Sequence, residues 1–292
     1  MTLVWLVASM LAGLGGCSPF GDVDMSTKDL DRRITRAVRG NAVSYVRSGS
    51  EAEPRLIYVH GTPGDAGAFA EFVRNPIDGV ESISVDRPGF GKTGGPALTS
   101  FADQAAALEP LLVEREGTWP VLVGHSLGGP IIARMAADHP DRVAAIVIIA
   151  GSLDPDLEDP RWFNYVGVAL GPVLPRMLRV SNAEIFAARE QTERLDAVLV
   201  RVRCPVVIVH GTRDGLVPYA NVEYMQEAFT GSPLVETVRV EGAGHFVLWG
   251  RQEIIRDAIS SAIQHANMRG QALPKQQGSS AEGPVPPEFV AR

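Results

Sequence analysis

The stretch "VLVGHSLGGP", Val121 to Pro130, sets Ser126 between Gly124 and Gly128, directly after an apolar run and directly before a segment of helical period. Glycines two residues before and two residues after the serine stand where side chains would collide if a strand and a helix approached closely. A Gly-x-Ser-x-Gly turn of this kind lifts a hydroxyl onto the end of a sheet and aims a helix N-terminus at it. Five residues alone carry little information, so the motif takes its meaning from the elements around it.

Working outward, short apolar runs recur: "RLIYVHG" (55–61), "ESISVDRPG" (81–89), "PVLVGHS" (120–126), "VAAIVIIAG" (143–151), "PVVIVHG" (205–211) and "VETVRVEG" (235–242). They are rich in Val and Ile and lack polar alternation, which predicts strands buried on both faces. Segments of helical period lie between or after them, at 100–116, 127–139, 219–229 and 251–267. Strand alternating with helix predicts an α/β fold with a mostly parallel sheet covered by helices on both faces. The core is expected over 40–151 and 204–268. Residues 152–203 are longer than a crossover needs and are expected to form a small inserted cap, with "DPRWFNYVGVALGPVLPRML" ahead of a charged helix near 182–200. Residues 17–39 read as an N-terminal linker, and 269–292 as a disordered tail with little to bury.

The 292 residues are 45% hydrophobic and 21% charged, enough for one large domain with a sizeable core. The formal charge of −7, with both signs interspersed, provides no basic stripe and excludes a nucleic-acid partner. The opening "MTLVWLVASMLAGLGGCSPFG" carries no charge, and its apolar part is too short for a comfortable membrane span. Residues 1–16 read as a signal peptide. Leu14-Gly15-Gly16-Cys17 resembles the bacterial lipobox, which implies acylation of Cys17 and a lipid anchor in the cell envelope, at the outer membrane facing the periplasm. Cys204 is then left without a disulfide partner and reads as a small buried hydrophobe.

A serine hydroxyl needs a base to become a nucleophile, and the base needs an orienting carboxylate. His245 in "EGAGHFVLW" follows the last strand, and Asp214 in "VHGTRDGLVP" follows the strand before it. Of the other histidines, His60 and His210 end strands as buried or loop-orienting residues, and His125 points away from its neighbour's side chain. His139 sits at a helix end, and His265 lies in the last helix. The order Ser126, Asp214, His245, together with "HGTPG", "DRPGFGKT", "GHSLGG", "GTRDGLVP" and "GAGHF", resembles the α/β-hydrolase-fold serine hydrolases over residues 40–266. The resemblance implies a serine esterase or lipase-like enzyme and an oxyanion hole from the backbone N–H groups of Leu127 and Thr62; Pro63 has no N–H to donate. Some members place the acid one strand earlier, where Asp154 stands in this chain, so both aspartates remain candidates. Asp86 matches the family's structural turn.

Haloalkane dehalogenases and epoxide hydrolases of this fold carry aspartate at the elbow, and Ser126 argues against both. Proline iminopeptidases usually have tryptophan beside the serine where this chain has Leu127. An amidase, a peptidase, a perhydrolase or a noncatalytic binding protein of the same fold are the alternatives to ester hydrolysis. No His-Glu-x-x-His or paired Cys-x-x-Cys occurs, and "GFGKT" lacks the earlier glycine of a phosphate-binding loop, so neither metal nor cofactor is implied. The partner expected at the site is a small acyl compound. Phe246 and Trp162 are candidate pocket residues, with Phe163 and Tyr165 beside Trp162 on the insertion.

Overall fold

The computed structural model describes residues 23–35 and 42–272. Cys17, the expected signal segment and most of the expected C-terminal tail lie outside those residues. Eight strands form one sheet: β1 (Asp31–Ile34), β2 (Ser44–Ser48), β3 (Arg55–Val59), β4 (Glu81–Val85), β5 (Val121–His125), β6 (Ala145–Ile149), β7 (Val206–Gly211) and β8 (Val235–Val240). Their spatial order is β1-β2-β4-β3-β5-β6-β7-β8, with the β1–β2 and β2–β4 pairings antiparallel and the other pairings parallel.

Strands β3 to β7 are buried along their whole length, including the polar Glu81, Ser82 and Ser84 of β4. Successive side chains alternate between two cores. Ile57, Val59, Leu122, Ile146, Ile148 and Ile208 face α2 (Phe101–Leu108), α3 (Gly128–Asp138), α5 (Arg176–Leu199) and α6 (Ala220–Ala228). Leu56, Tyr58, Val123, Val147 and Val209 face α1 (Ala70–Arg74), α7 (Val247–Gly250) and α8 (Gln252–Ala272). Between β6 and β7 the chain makes an excursion that holds α4 (Trp162–Ala169) and α5, with 3-10 turns at Pro155–Leu157 and Gly171–Val173.

After β3 the chain runs out to β4 and returns to β5 on the other side of β3. The carboxyl ends of β3 and β5 therefore flank the point where the winding reverses, which is where open parallel sheets leave a crevice. "HGTPG" ends β3 and "HSLGG" ends β5, so the topology brings the two motifs together.

Five features of the fold differ from expectation. The linker 17–39 contains β1, an exposed edge strand whose "DRRI" has no hydrophobic pattern to reveal it. β8 is the opposite edge and only Val240 in it is buried, so it is not a strand covered on both faces. The helix expected over 100–116 ends at Leu108 and passes into a 3-10 turn, Glu109–Leu111, because Pro110 supplies no N–H to continue it. The charged helix expected near 182–200 begins at Arg176, directly after Pro175. The last helix continues to Ala272, four residues past the expected core boundary.

Candidate active site

Ser126 follows β5 with φ of 53°, a left-handed backbone that serine rarely adopts, while its N–H still donates to Ile149 O at 2.9 Å. Strain of this kind, on the order of 1–3 kcal/mol, persists only where the surroundings dictate it. Here the close crossing of β5, α3 and β3 does so. A Cβ on Gly124 would stand 2.5 Å from Gly128 O, and one on Gly128 would stand 2.1 Å from Val59 O. Leu127 occupies the N-cap position of α3, so its amide lies among the N–H groups at the helix start.

His245 lies in the turn between β8 and α7, and its Nε2 is 3.0 Å from Ser126 Oγ. Its Nδ1 is 2.8 Å from Asp214 Oδ2. Asp214 sits just past β7, where its Oδ1 accepts from the N–H groups of Leu216 (2.9 Å) and Val217 (2.8 Å). Burial raises its carboxyl pKa, but hydrogen bonds from His210, His245 and the Val217 backbone outweigh burial and hold it below the usual carboxylate range. Of the two histidine contacts, that from His245 is the firmer, since His210 Nε2 is 3.5 Å from Asp214 Oδ2 and 3.0 Å from Val217 O. Serine, histidine and aspartate retain 9%, 8% and 8% exposure, which leaves the hydroxyl only a narrow opening to solvent.

Asp154 makes no hydrogen bond to His245 among the described residues. Its side chain accepts from Asp156 N as the cap of the 3-10 turn Pro155–Leu157, and its own N–H donates to Asn221 Oδ1. Asp86 accepts from Arg32 Nη1 (2.6 Å), Ala66 N (2.8 Å) and Lys92 N (3.0 Å), tying β1 and two loops to the end of β4. His125 contacts His245: its Nε2–H donates to His245 O at 3.2 Å, and its ring lies 5.0 Å from the His245 ring. Burial, then the neighbouring His245, lower the His125 pKa to about 3, so the ring stays neutral. His139 caps the C-terminus of α3, and His265 Nε2 is 3.1 Å from Glu236 Oε2.

The Gly61–Thr62 peptide lies against Ser126: a Cβ built on Gly61 would meet Ser126 Cβ at 2.7 Å and Ser126 Oγ at 3.3 Å. The Thr62 hydroxyl is buried without a hydrogen-bond partner. Phe246 is half-buried with its ring 5.9 Å from that of His245. Trp162 is 78% exposed on α4, and Tyr165 is exposed against Phe186. A cavity of about 250 Å³ bounded by Leu56, Ile77, Trp119, Val121 and Ile263 lies at the amino ends of β3 and β5, across the sheet from the serine. Ser126 is not among the residues that line it. Among the described residues no cluster of His, Cys, Asp and Glu is arranged to hold a metal, and no helix is long and apolar enough to cross a membrane.

Beside the site lies a cluster that no single motif of the sequence marks. Arg87, Gln104 and Glu184 form a buried polar group between the end of β4, α2 and α5. The signal was present in α5, where Glu184 interrupts a stripe of buried residues that includes Val180, Ala188, Leu195 and Leu199.

A hydroxyl, an imidazole and a carboxylate in one hydrogen-bonded line can activate the oxygen for attack on an electrophilic carbon. Comparison with known proteins agrees with the fold. Residues 54–174 match the family described as alpha/beta hydrolase fold, and residues 185–271 match the family described as TAP-like protein. The chain has the α/β-hydrolase fold. It is similar to the dihydrolipoyllysine-residue acetyltransferase component of the acetoin cleaving system of Cupriavidus necator, with 32% identity over 71% of this chain and 63% of that protein's length. It is also similar to the pimeloyl-[acyl-carrier protein] methyl ester esterase of Proteus mirabilis, with 22% identity over 65% of this chain and 86% of the relative. Among solved structures, the monoacylglycerol lipase of Paleococcus ferrophilus shares the fold with a TM-score of 0.61 and 20% identity, covering 76% of this chain and 99% of that one.

Proposed function

We propose that the protein is a serine hydrolase that cleaves carboxylic esters of small acyl compounds through an acyl-Ser126 intermediate. The observation that carries this reading is the line Ser126 Oγ, His245 Nε2 at 3.0 Å, His245 Nδ1, Asp214 Oδ2 at 2.8 Å. The names of the esterase and the lipase among the similar proteins support an ester as substrate.

In this mechanism the ionised Asp214 holds the His245 proton on Nδ1 and leaves Nε2 free to accept the Ser126 proton. Oγ attacks the ester carbonyl, and the oxyanion that develops is met by the N–H groups of Leu127 and Thr62. The imidazolium, stabilised by Asp214, then protonates the departing alcohol. Water, deprotonated by the same Nε2, attacks the acyl group, and collapse of the second tetrahedral species returns the proton to Ser126. His125 stays neutral throughout and adds no like charge to the imidazolium 5.0 Å away.

The location proposed for this activity is the cell envelope, with the mature chain anchored through a lipid on Cys17; the Leu14-Gly15-Gly16-Cys17 motif supports it. The chemistry is tested by steady-state hydrolysis of p-nitrophenyl esters of increasing acyl length. Ser126→Ala is expected to remove turnover by about 10⁶ with the fold intact. A folded Ser126→Ala protein that keeps a large share of the parent rate overturns the reading.

A further inference from the structure

Arg87, two residues past β4, is fully buried, and its guanidinium makes a two-pronged pair with Glu184 of α5: Nη1 to Oε1 at 2.6 Å and Nη2 to Oε2 at 3.1 Å. Nη1 also donates to Gln104 Oε1 at 2.7 Å, while Nε is buried with no partner. Ion pairs stripped of water are often no more stabilising than apolar residues of similar volume, so tying α5 to the core does not by itself explain this one. What the pair holds in place is informative. Nη2 donates at 2.8 Å to the carbonyl oxygen of Gly61.

A second donor reaches that oxygen. His60 Nε2 accepts from the Arg87 backbone N–H at 3.2 Å, which leaves the ring proton on Nδ1, and Nδ1–H donates to Gly61 O at 2.7 Å. Burial first, then the Arg87 charge, depress the His60 pKa well below 6.5 and keep the ring in this neutral form. In a trans peptide the carbonyl oxygen and the following N–H point in opposite directions from one plane. Two donors on Gly61 O therefore fix the direction of the Thr62 N–H. They also withdraw electrons from the amide, which strengthens that N–H as a donor.

The geometry points to Arg87, locked by Glu184, as a positioning residue that aims the Thr62 N–H at the oxyanion of the reaction. The inference rests on the serine-hydrolase reading of the site. It makes α5 of the inserted segment part of the catalytic apparatus, because Glu184 and Gly61 share one guanidinium across 123 residues of chain. A shift of α5 that turns Glu184 is thereby felt at the donor peptide.

The test compares an oxo ester with its thiono analogue, p-nitrophenyl acetate and p-nitrophenyl thionoacetate, on folded variants. The larger, weakly accepting sulfur gains little from N–H donors, so the oxo-to-thiono rate ratio reports the donors and not general folding. The double variant Arg87→Met with Glu184→Leu removes both charges together and is expected to fold. Its kcat on the oxo ester should fall about ten- to hundredfold, as a displaced donor implies, with KM within about threefold and the rate ratio falling by a similar factor. Arg87→Lys and Glu184→Gln, read in the same way, decide the matter if the double variant does not fold. Unchanged kcat, or a fall in kcat with the ratio unchanged, overturns the inference. A parent protein that hydrolyses neither ester removes the reading of the site itself, whereas an active parent with indifferent variants removes only the role of Arg87.

Discussion

His245 Nδ1 stands 2.8 Å from Asp214 Oδ2, while the other oxygen of the same carboxylate is bound by the N–H groups of Leu216 and Val217. One oxygen fixes the aspartate to its loop and the other fixes the imidazole. Asp214→Asn keeps the shape but presents an amide that can turn the ring to the wrong tautomer. Turnover is expected to fall by about 10⁴. Asp154→Asn, which keeps a side-chain oxygen able to cap the 3-10 turn, is expected within about tenfold of the parent. Ester hydrolysis by both variants, with folding checked by circular dichroism, measures the ranking, and the reverse order moves the acid to Asp154.

The elbow yields a prediction about packing. A Cβ at position 128 would overlap Val59 O at 2.1 Å, a backbone atom in the middle of the sheet that has nowhere to go. Gly128→Ala is expected to destabilise by about 3 kcal/mol or more, at the upper end of what overpacking costs, and to remove activity by displacing Ser126. Urea unfolding measures it. A variant with parent stability and parent turnover contradicts the close crossing of β3 and α3.

Much of this was legible in the sequence because local chemistry and global placement agree. The Val and Ile runs of β3 to β7 announce strands with no wet face, and Gly124, Ser126 and Gly128 announce the elbow before any coordinate is known. Sequence alone left Asp214 and Asp154 as rivals, since the choice depends on which carboxylate meets a ring 31 residues further on. β1 was hidden because an edge strand covered on one side needs no hydrophobic run, and "DRRI" is held by pairing to β2 and by Arg32 on Asp86. Trp162, on the insertion, is largely exposed, and its sequence context carries no signal of that. Arg87 and Glu184 were out of reach since 97 residues separate them and only the packing of α5 brings them together.

Stability is expected to fall in mild acid through His60 and His125. Both rings are neutral in the fold, through burial first, with His125 lowered to about 3 and His60 well below 6.5. The unfolded chain takes up these protons near 6.5, so below that pH it binds more protons than the folded chain. Stability is thus fully present above about pH 6.5 and is lost as pH falls, by about 1.4 kcal/mol per unit for each ring. Asp214, depressed in the fold, acts in the same direction below about pH 4. Urea unfolding at about pH 7 and pH 5 measures the change, and equal free energies at the two values contradict it.

Cys17 supplies a prediction of place. Acylation at this residue, with further chains as in bacterial lipoproteins, gives firm membrane binding at about 0.8 kcal/mol per buried CH₂. The parent is expected in the membrane fraction, and Cys17→Ala is expected to be released or to remain unprocessed. Mass spectrometry of the N-terminal peptide reads the outcome, and an unmodified Cys17 in membrane-bound protein contradicts it.

The central claim is that Ser126 is a nucleophile activated by His245, and the site of covalent capture tests it most directly. Folded protein is treated with a fluorophosphonate, digested, and the modified residue located by tandem mass spectrometry. The account predicts one phosphonyl group per chain on Ser126, formed rapidly in the parent and at least about a thousandfold more slowly in a folded His245→Ala variant. Modification on another residue, or labelling of Ser126 at the same rate without His245, contradicts it.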